Sequence, residues 1–486
     1  MSKARRRVVI VGGGFGGLEV AKALDGVDVD VLLVDRVNYH LFQPLLYQVA
    51  MAGLAPSEIA SPIRGILAEQ KNVRVVLGEV TGVDLADKRI HVTDPGTGDD
   101  LVEGYDWLVL AAGARNGFFG HDEWEPHAPG LKTVEDALEI RRRVLVAFER
   151  AEKTEDARER KKLLTFAVIG GGPTGVEMSG AVAELARYVL AQDFRAADPR
   201  GTKVVLIEAG PRILPSFPED LAQSAVEQLA ELGVEVRTGS RVVAIDDDGV
   251  VLEGEGADDV PGLGSGREHE RIHAATVLWG AGVRASALTE CLDVPRDRQG
   301  RVVVGQDCSL PDHPEVFAIG DMARFEEEGQ LLPGVSPVAM QQGRYVARII
   351  AWEAESDGRP PRSPFRYFDK GSMATIGRSR AIAWARGLKM TGFIAWLAWL
   401  FIHIFYLIGF KNRLVVLFNW FWSYLSYKRG ARLITSTGWE PTAARKLACT
   451  VPALPPKTEG LTVPSSERTP ESVAASRGEP ISHPHP

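Results

Sequence analysis

The chain of 486 residues predicts an α/β protein with two similar halves, each a parallel sheet wrapped by helices, ending in a short helical segment suited to a surface. Three observations carry that expectation. VVIVGGGFGGLEVAKAL, from Val8, reads as a β-branched strand, a glycine-rich turn and a helix, and VDVLLVD follows as a second buried strand. LLTFAVIGGGPTGVEMSGAVAELA, from Leu163, and TKVVLIEAG, from Thr202, repeat the unit about 160 residues later. Near the end, WLAWLFIHIFYLIGF (Trp396–Phe410) and LVVLFNWFWSYLSY (Leu414–Tyr427) are apolar, tryptophan-rich and free of acids.

Such a length exceeds one compact core and implies two or three domains. The hydrophobic fraction of 45% and charged fraction of 25% are ordinary for a globular protein. Cys291, Cys308 and Cys449 lie far apart with no CxxC pair, which argues against a disulfide scaffold, a structural zinc site or a local dithiol centre. The histidines form no metal-ligand spacing, and His483 and His485 in the Pro-rich tail read as solvated, so no metal is expected. At the start, MSKARRRVVIVGGG, the apolar run Val8–Val11 is too short for the core of a secretory signal, so the protein reads as cytoplasmic.

The net charge of −8 hides an asymmetry. No acid lies between Asp369 and Glu440, whereas Lys370, Arg378, Arg380, Arg386, Lys389, Lys411, Arg413, Lys428, Arg429 and Arg432 do. Cations among aliphatic and Trp residues point to anionic lipid headgroups rather than nucleic acid.

The first half opens with Gly12-x-Gly14-x-x-Gly17: the first glycine permits the tight turn, the second the approach of a pyrophosphate, the third close helix–strand packing. Asp35 ends the next strand 18 residues after Gly17, where a carboxylate accepts a ribose hydroxyl. Gly170-x-Gly172-x-x-Gly175 recurs in the same context, with Glu208 as its acid. The longer spacing to Glu208 requires an insertion around RYVLAQDFRAADPR. A carboxylate there repels a 2′-phosphate and favours NADH, with Arg212 nearby as the counter-argument and a solvated strand end as the plain alternative. Two Rossmann-like sites in one chain imply FAD in the first and NADH in the second. WLVLAAGAR (Trp107–Arg115) and VFAIGD (Val316–Asp321) read as further buried strands, with Asp321 placed for the flavin's ribitol or phosphate, or else a simple turn acid.

Hairpin-like pieces follow each unit, in NVRVVLGEVTGVDLADKRIHV and VEVRTGSRVVAIDDDGVVLEG. The acidic, Gly-rich run from Gly254 to Glu270 reads as a mobile loop, and the Pro-, Ser- and Glu-rich tail beyond Pro452 as disordered. The expected organisation is a FAD-binding domain (1–130), an inserted NADH-binding domain (131–275), the rest of the FAD domain (276–385), membrane-associating helices (386–440) and a disordered tail (450–486).

At this point the chain resembles the two-dinucleotide-binding-domain flavoproteins, and within them the bacterial type II NADH dehydrogenases, the non-proton-pumping NADH:quinone oxidoreductases. NYHLFQPLLYQVA (Asn38–Ala50), GGGPTGVEMSGAVAEL, PVAMQQG (Pro337–Gly343), DKGSMATIGR (Asp369–Arg378) and WLAWLFIHIFYLIGFKNRL carry the likeness, which covers about residues 6 to 440. Where disulfide reductases of the superfamily have CxxxxC, this chain has PLLYQVAMAG. The resemblance implies hydride transfer from NADH to FAD and on to a membrane quinone, without proton pumping, in a homodimer at the cytoplasmic face of the membrane. It implies that Phe15, Val80, Ala112, Gly113 and Gly320 join the flavin set. Glu177 matches a glutamate between nicotinamide and flavin; read from sequence alone, it sits on the first turn of a helix, where capping the dipole is the alternative. Gln341 and Gln342 match paired glutamines near the quinone entrance, or else a helix surface, and Lys370 matches a lysine beside the flavin ring. Ala112, where the family often has Thr, and Met340 are mild departures. The rivals are a sulfide:quinone reductase, which needs reactive cysteines, a ferredoxin-type reductase, and a flavin- and NAD-binding redox sensor.

The run from Phe393 to Phe410 is 18 residues, ~27 Å as a helix against ~30 Å of hydrocarbon. A span would put the following cations outside, against the positive-inside tendency, and the second run is too short to return. Both runs are therefore expected to lie in the interface as a monotopic foot, with their inner face packed on protein.

Overall fold

The computed structural model describes residues 5–253, 269–356, 361–426 and 431–435. The expected acidic loop, apart from its last two residues, and the expected tail lie outside the described residues.

The first half runs β1 (Arg6–Val11), α1 (Phe15–Ala23), β2 (Val29–Asp35), the short α2 (Leu46–Ala50), β3 (Val73–Leu77) and β4 (Trp107–Leu110). The second runs α3 (Val134–Lys153), β5 (Thr165–Ile169), α4 (Pro173–Glu184), β6 (Lys203–Ile207), β7 (Val234–Arg237) and β8 (Thr276–Trp279). The chain then returns to the first sheet with β9 (His313–Ala318) and the long α5 (Ser336–Glu355). It ends in the antiparallel sheet β10 (Ser372–Gly377), β11 (Arg380–Ala385), β12 (Leu388–Thr391), then α6 (Gly392–Tyr406) and α7 (Phe410–Ser426).

The two parallel sheets share one plan. The first is ordered β9-β4-β1-β2-β3, with a short antiparallel edge at Ser309–Leu310; the second is β8-β5-β6-β7. In each, the strand before the glycine motif lies between the next strand in sequence and a later one, and the chain leaves in opposite directions on either side. That is the crevice where open α/β sheets bind ligands. The central strands are buried on both faces: Val8, Val9 and Ile10, like Phe166, Ala167 and Val168, expose nothing. The second sheet reaches Trp279, past the boundary at residue 275 expected from sequence. Two short strands, Ala114–Asn116 and Val283–Ala285, pair antiparallel where the chain passes between the halves. Each half also carries a three-stranded antiparallel sheet, as the hairpin patterns foretold.

Close packing at glycines draws the site together. A Cβ on Gly180, in α4, would land on the carbonyl oxygen of Ile376 in β10, and one on Gly343, in α5, would press on the carbonyl of Gly16 in α1. Only hydrogen fits at either contact, so α4 lies directly on β10 and α1 directly on α5.

α6 and α7 depart from the usual amphipathic pattern by exposing apolar side chains. On α6, Ala395 and Trp399 are buried, while Ile394, Phe401 and Phe405 are 67%, 70% and 58% exposed. On α7, Val416 is buried and the polar groups turn inward: Asn412 donates to Ser61 Oγ at 3.2 Å, and Asn419 bonds Glu58. Leu414, Leu417, Phe418, Phe421 and Trp422 face outward. α6 is 15 residues, ~22 Å, and stops before Gly409, whose φ of +86° turns the chain into α7. No helix among the described residues is long and apolar enough to cross a membrane.

Candidate active site

The two glycine loops are copies in atomic detail. Gly12 N–H donates to Val34 O at 2.8 Å, and Gly170 N–H to Ile207 O at 2.7 Å. Both glycines take left-handed backbone, at φ +102° and +103°. A Cβ on Gly17 would strike Gly12 O and one on Gly175 would strike Gly170 O, while Cβ atoms on Gly14 and Gly172 would meet nothing within 4 Å. The first and third glycines are thus demanded by the fold, and the middle ones leave room for a ligand at a helix N-terminus.

Each loop is clamped by its acid. Asp35 Oδ2 accepts from Gly13 N–H at 2.5 Å and Oδ1 from Val37 N–H at 2.9 Å; Glu208 Oε2 accepts from Gly171 N–H and Oε1 from Gly210 N–H, both at 2.6 Å. A carboxylate oxygen has two lone pairs, so each keeps capacity for a ribose hydroxyl. Arg212 is turned away: its guanidinium donates to Phe217 O at 2.9 Å and Pro215 O at 2.8 Å. The arginine that sequence offered as a partner for a 2′-phosphate is thereby held on backbone. The insertion ahead of Glu208 is a π-helix, Leu185–Val189, then a turn at Pro199–Gly201.

The other residues expected around the flavin gather at the first loop. The Phe15 ring meets His40 and Phe42 edge-on at 5.0 and 6.0 Å. Val80 is buried in its hairpin's core, so a ligand would meet its main chain. Ala112 N–H lies 2.9 Å from Met322 Sδ, and Gly113 and Gly320 take positive φ, +68° and +67°. Asp321 is half-buried, and its carboxylate makes no hydrogen bond or ion pair among the described residues. Sequence reading missed Lys132. Burial pushes its ammonium pKa down, and the charges of Asp321 and Asp136 hold it up. An unpartnered acid, a sheltered lysine and a loop with space at Gly14 fit a diphosphate-bearing dinucleotide such as FAD.

Gln341 and Gln342, adjacent on α5, diverge. Gln342 is buried, and its Oε1 accepts from Gly320 N–H at 2.8 Å, fixing the turn that carries Asp321. Gln341 exchanges two bonds with the main chain of Phe368, Nε2 to O and Oε1 from N–H, each at 3.0 Å. It thereby pins the strap leading to Lys370, whose Nζ donates to Tyr406 Oη of α6 at 2.7 Å.

A cavity of about 120 Å³ opens where α4, β10, α2, α6 and α7 meet, lined by Glu177, Glu184, Gln48, Thr375, Trp399 and Trp420. Glu177 is the fifth residue of α4, and the first turn holds no acid, so it does not cap the dipole as its sequence position suggested. It projects into the cavity instead, with Thr375 N–H 3.5 Å from its Oε1. Burial pushes its pKa up to about 8, opposed only by that N–H, so the carboxyl carries a proton at neutral pH. Trp420 Nε1 donates to Gln48 Oε1 at 2.7 Å, and Gln48 Nε2 to Tyr47 Oη at 2.9 Å, which ties α7 to α2. Trp399 stacks on His403 at 4.3 Å and lies 5.5 Å from Trp420. Gln48, Glu184, Trp399 and Trp420 were not singled out as site residues from sequence, although the first three lie in the stretches that carry the family likeness and Trp420 in the second apolar run.

Several cations expected to face lipid are paired inside the protein. Arg380 bonds Glu231 at 3.0 Å, Lys389 bonds Asp220 at 2.8 Å and Arg432 bonds Asp193. Cys308 is fully buried and its thiol pKa is pushed well up by burial, so it is no reactive sulfur.

Residues 6–343 match the family model of pyridine nucleotide-disulphide oxidoreductases, and residues 370–428 the NDH2 C-terminal domain. A type II NADH:quinone oxidoreductase of Mycobacterium tuberculosis is 45% identical over 89% of this chain and 90% of its own length. An internal alternative NAD(P)H-ubiquinone oxidoreductase of Arabidopsis thaliana mitochondria is 30% identical over 85% of this chain and 83% of its own. The solved structure of NDH2 from Plasmodium falciparum aligns with a TM-score of 0.79 at 20% identity, covering 89% of this chain and all of that one. The sulfide:quinone oxidoreductase of Aquifex aeolicus shares the fold at a TM-score of 0.64 and 18% identity, over 84% of this chain and 91% of that one. On the matches that span nearly its whole described length, the chain belongs to the type II NADH:quinone oxidoreductase family.

Proposed function

We infer that the protein is a membrane-associated NADH:quinone oxidoreductase that takes a hydride from NADH, passes two electrons to a quinone and pumps no protons. The observation that carries this reading is the cavity between the second glycine-loop helix and the outward-facing apolar foot. One wall belongs to the nucleotide site and the other to helices suited to a lipid surface.

Bound FAD supplies the two-electron relay between nicotinamide and quinone. Gly12, Gly14 and Gly17 with Asp35 would hold its diphosphate and ribose, and Asp321 and Lys132 lie free to meet it. Gly170, Gly172, Gly175 and Glu208 bind NADH, with Glu208 selecting against a 2′-phosphate. Glu177 holds a proton beside the cavity, and Thr375 N–H steers its carboxyl. Gln342 fixes the flavin-side turn; Gln341 fixes the strap that delivers Lys370.

The foot supports binding at the lipid surface chiefly through its apolar face, since three residues of the basic stretch, Arg380, Lys389 and Arg432, form ion pairs with acids of the protein. Anionic headgroups then add a smaller term through the remaining cations. NADH is a cytosolic reductant, which favours the cytoplasmic face. Homodimerisation is the pairing the family likeness implies, and sedimentation of the detergent-solubilised protein tests it. The buried Cys308 counts against the sulfide:quinone alternative. Oxidation of NADH by the purified protein with a short-chain quinone tests the function: quinone-dependent turnover supports it. Flavin that NADH reduces but no quinone reoxidises would leave the ferredoxin-reductase or redox-sensor readings in its place.

A further inference from the structure

The reaction NADH + quinone + H⁺ → NAD⁺ + quinol breaks one C–H bond on the nicotinamide and forms two O–H bonds on the quinone. Two electrons and one proton's worth of hydrogen come from NADH; the second proton must enter from water. The cavity holds Glu177, and α4 carries a second acid on the same face. Glu184 lies seven residues on, two turns or ~10.5 Å along the axis, with Ala181 between them. The alanine leaves that stretch of wall low. At roughly 10–15 Å³ per enclosed water on a comparable measure, a cavity of about 120 Å³ has room for a chain of several.

Beyond Glu184 the helix widens into the π-helix Leu185–Val189, which places Tyr188 and Val189 on the same cavity wall. Tyr188 is 49% exposed, whereas Glu184 is 8% exposed, so the row runs from the interior to the surface. π-Helical turns interrupt α-helices mostly at functional positions. Glu184 is fixed in place: Arg378 N–H donates to its Oε1, and a Cβ on Gly377 would sit 2.8 Å from the same oxygen. The titratable groups facing this space are Glu177, Glu184 and Tyr188 from α4 and its extension, Tyr47 from α2 and Arg378 from the β10–β11 turn.

We propose that Glu184 is the proton-entry relay of the quinone half-reaction, passing a solvent proton from the Tyr188 mouth through cavity water to Glu177. It acts through Glu177 and not on the substrate, and the proposal rests on the oxidoreductase reading above. Each cycle, Glu177 gives its proton to a quinone oxygen and is recharged from Glu184, which is recharged from solvent, so neither acid changes net state.

The test uses flavin-loaded, full-length protein mixed rapidly first with NADH and then with a short-chain quinone. Glu184→Gln leaves flavin bleaching by NADH within about twofold of wild type. It slows reoxidation by quinone about 10-fold or more, enlarges the solvent deuterium isotope effect on that step, and is rescued by added formate. Glu184→Asp retains most of the rate. Ala181→Leu, which fills the gap while leaving both acids in place, slows the same step. In infrared difference spectra, Glu184→Gln also slows deuterium exchange at the Glu177 carboxyl.

Reoxidation at the wild-type rate in Glu184→Gln or Ala181→Leu overturns the relay. So does a slowing without isotope effect or rescue, or an equal loss in both halves, each of which marks a structural role. Wild-type protein that quinone does not reoxidise overturns the function itself, and the relay with it.

Discussion

Replacing Glu177 with Gln removes a titrating carboxyl from the cavity while keeping its size and one acceptor oxygen. The carboxyl titrates near 4.5 when exposed and about 8 in the folded protein. Below pH 4.5 both states hold the proton and the folded state loses nothing. Between pH 4.5 and about 8 the unfolded chain releases it while the folded protein retains it, so stability falls as pH rises. The slope is at most about 1.4 kcal/mol per pH unit, and the full loss on the order of 5 kcal/mol. That is an upper limit, because part of the side chain faces the cavity and its water. Glutamine carries no such loss. Denaturant midpoints of the flavin-loaded protein, measured across this window, should show Glu177→Gln gaining on wild type by a few kcal/mol from the acid to the alkaline end. A difference between the two proteins that stays flat with pH would refute a carboxyl held protonated by burial.

Three other changes test separate parts of the structure. Gly180→Ala drives a methyl into the Ile376 carbonyl and should cost about 1–3 kcal/mol, read as a lower denaturation midpoint with slower quinone turnover. Glu208→Ala removes the ribose acceptor and should lower kcat/KM for NADH about 10-fold or more while narrowing its advantage over NADPH. Replacing Phe401, Phe405, Phe418 and Phe421 together with Ser should weaken binding to lipid vesicles about 100-fold or more, with flavin retained. Substitution at these exposed rings is a sharper probe than truncation after Gly387, which would strip the buried Ala395 and Trp399 from the core.

The glycine motifs and their acids were readable because the chemistry is local: strand, turn, helix and closing carboxylate follow one another within one βαβ unit. The duplication foretold two sheets, and both follow the same strand order. The sheltered lysine and the whole cavity were not readable, because Lys132 and Asp321 lie far apart in sequence and the cavity's residues meet only after α2, α4, β10, α6 and α7 pack. Gln341 and Gln342 look alike in sequence, yet neighbouring helical positions point about 100° apart, so one fixes a turn and the other a strap. Glu177 was placed in the first helical turn because a sequence does not print where a helix begins; Pro173 at the start of α4 puts it in the second. The basic stretch announced its charge, but not that Arg380, Lys389 and Arg432 would find acids within the fold.

The central claim is that one chain oxidises NADH and hands the electrons to a quinone. Its most direct test is an anaerobic single turnover in detergent or lipid, following the visible absorbance of the bound flavin. NADH should bleach that band within one catalytic cycle, and added quinone should restore it with formation of an equal amount of quinol. Flavin that stays bleached in the presence of quinone, or that NADH never reduces, would contradict the account.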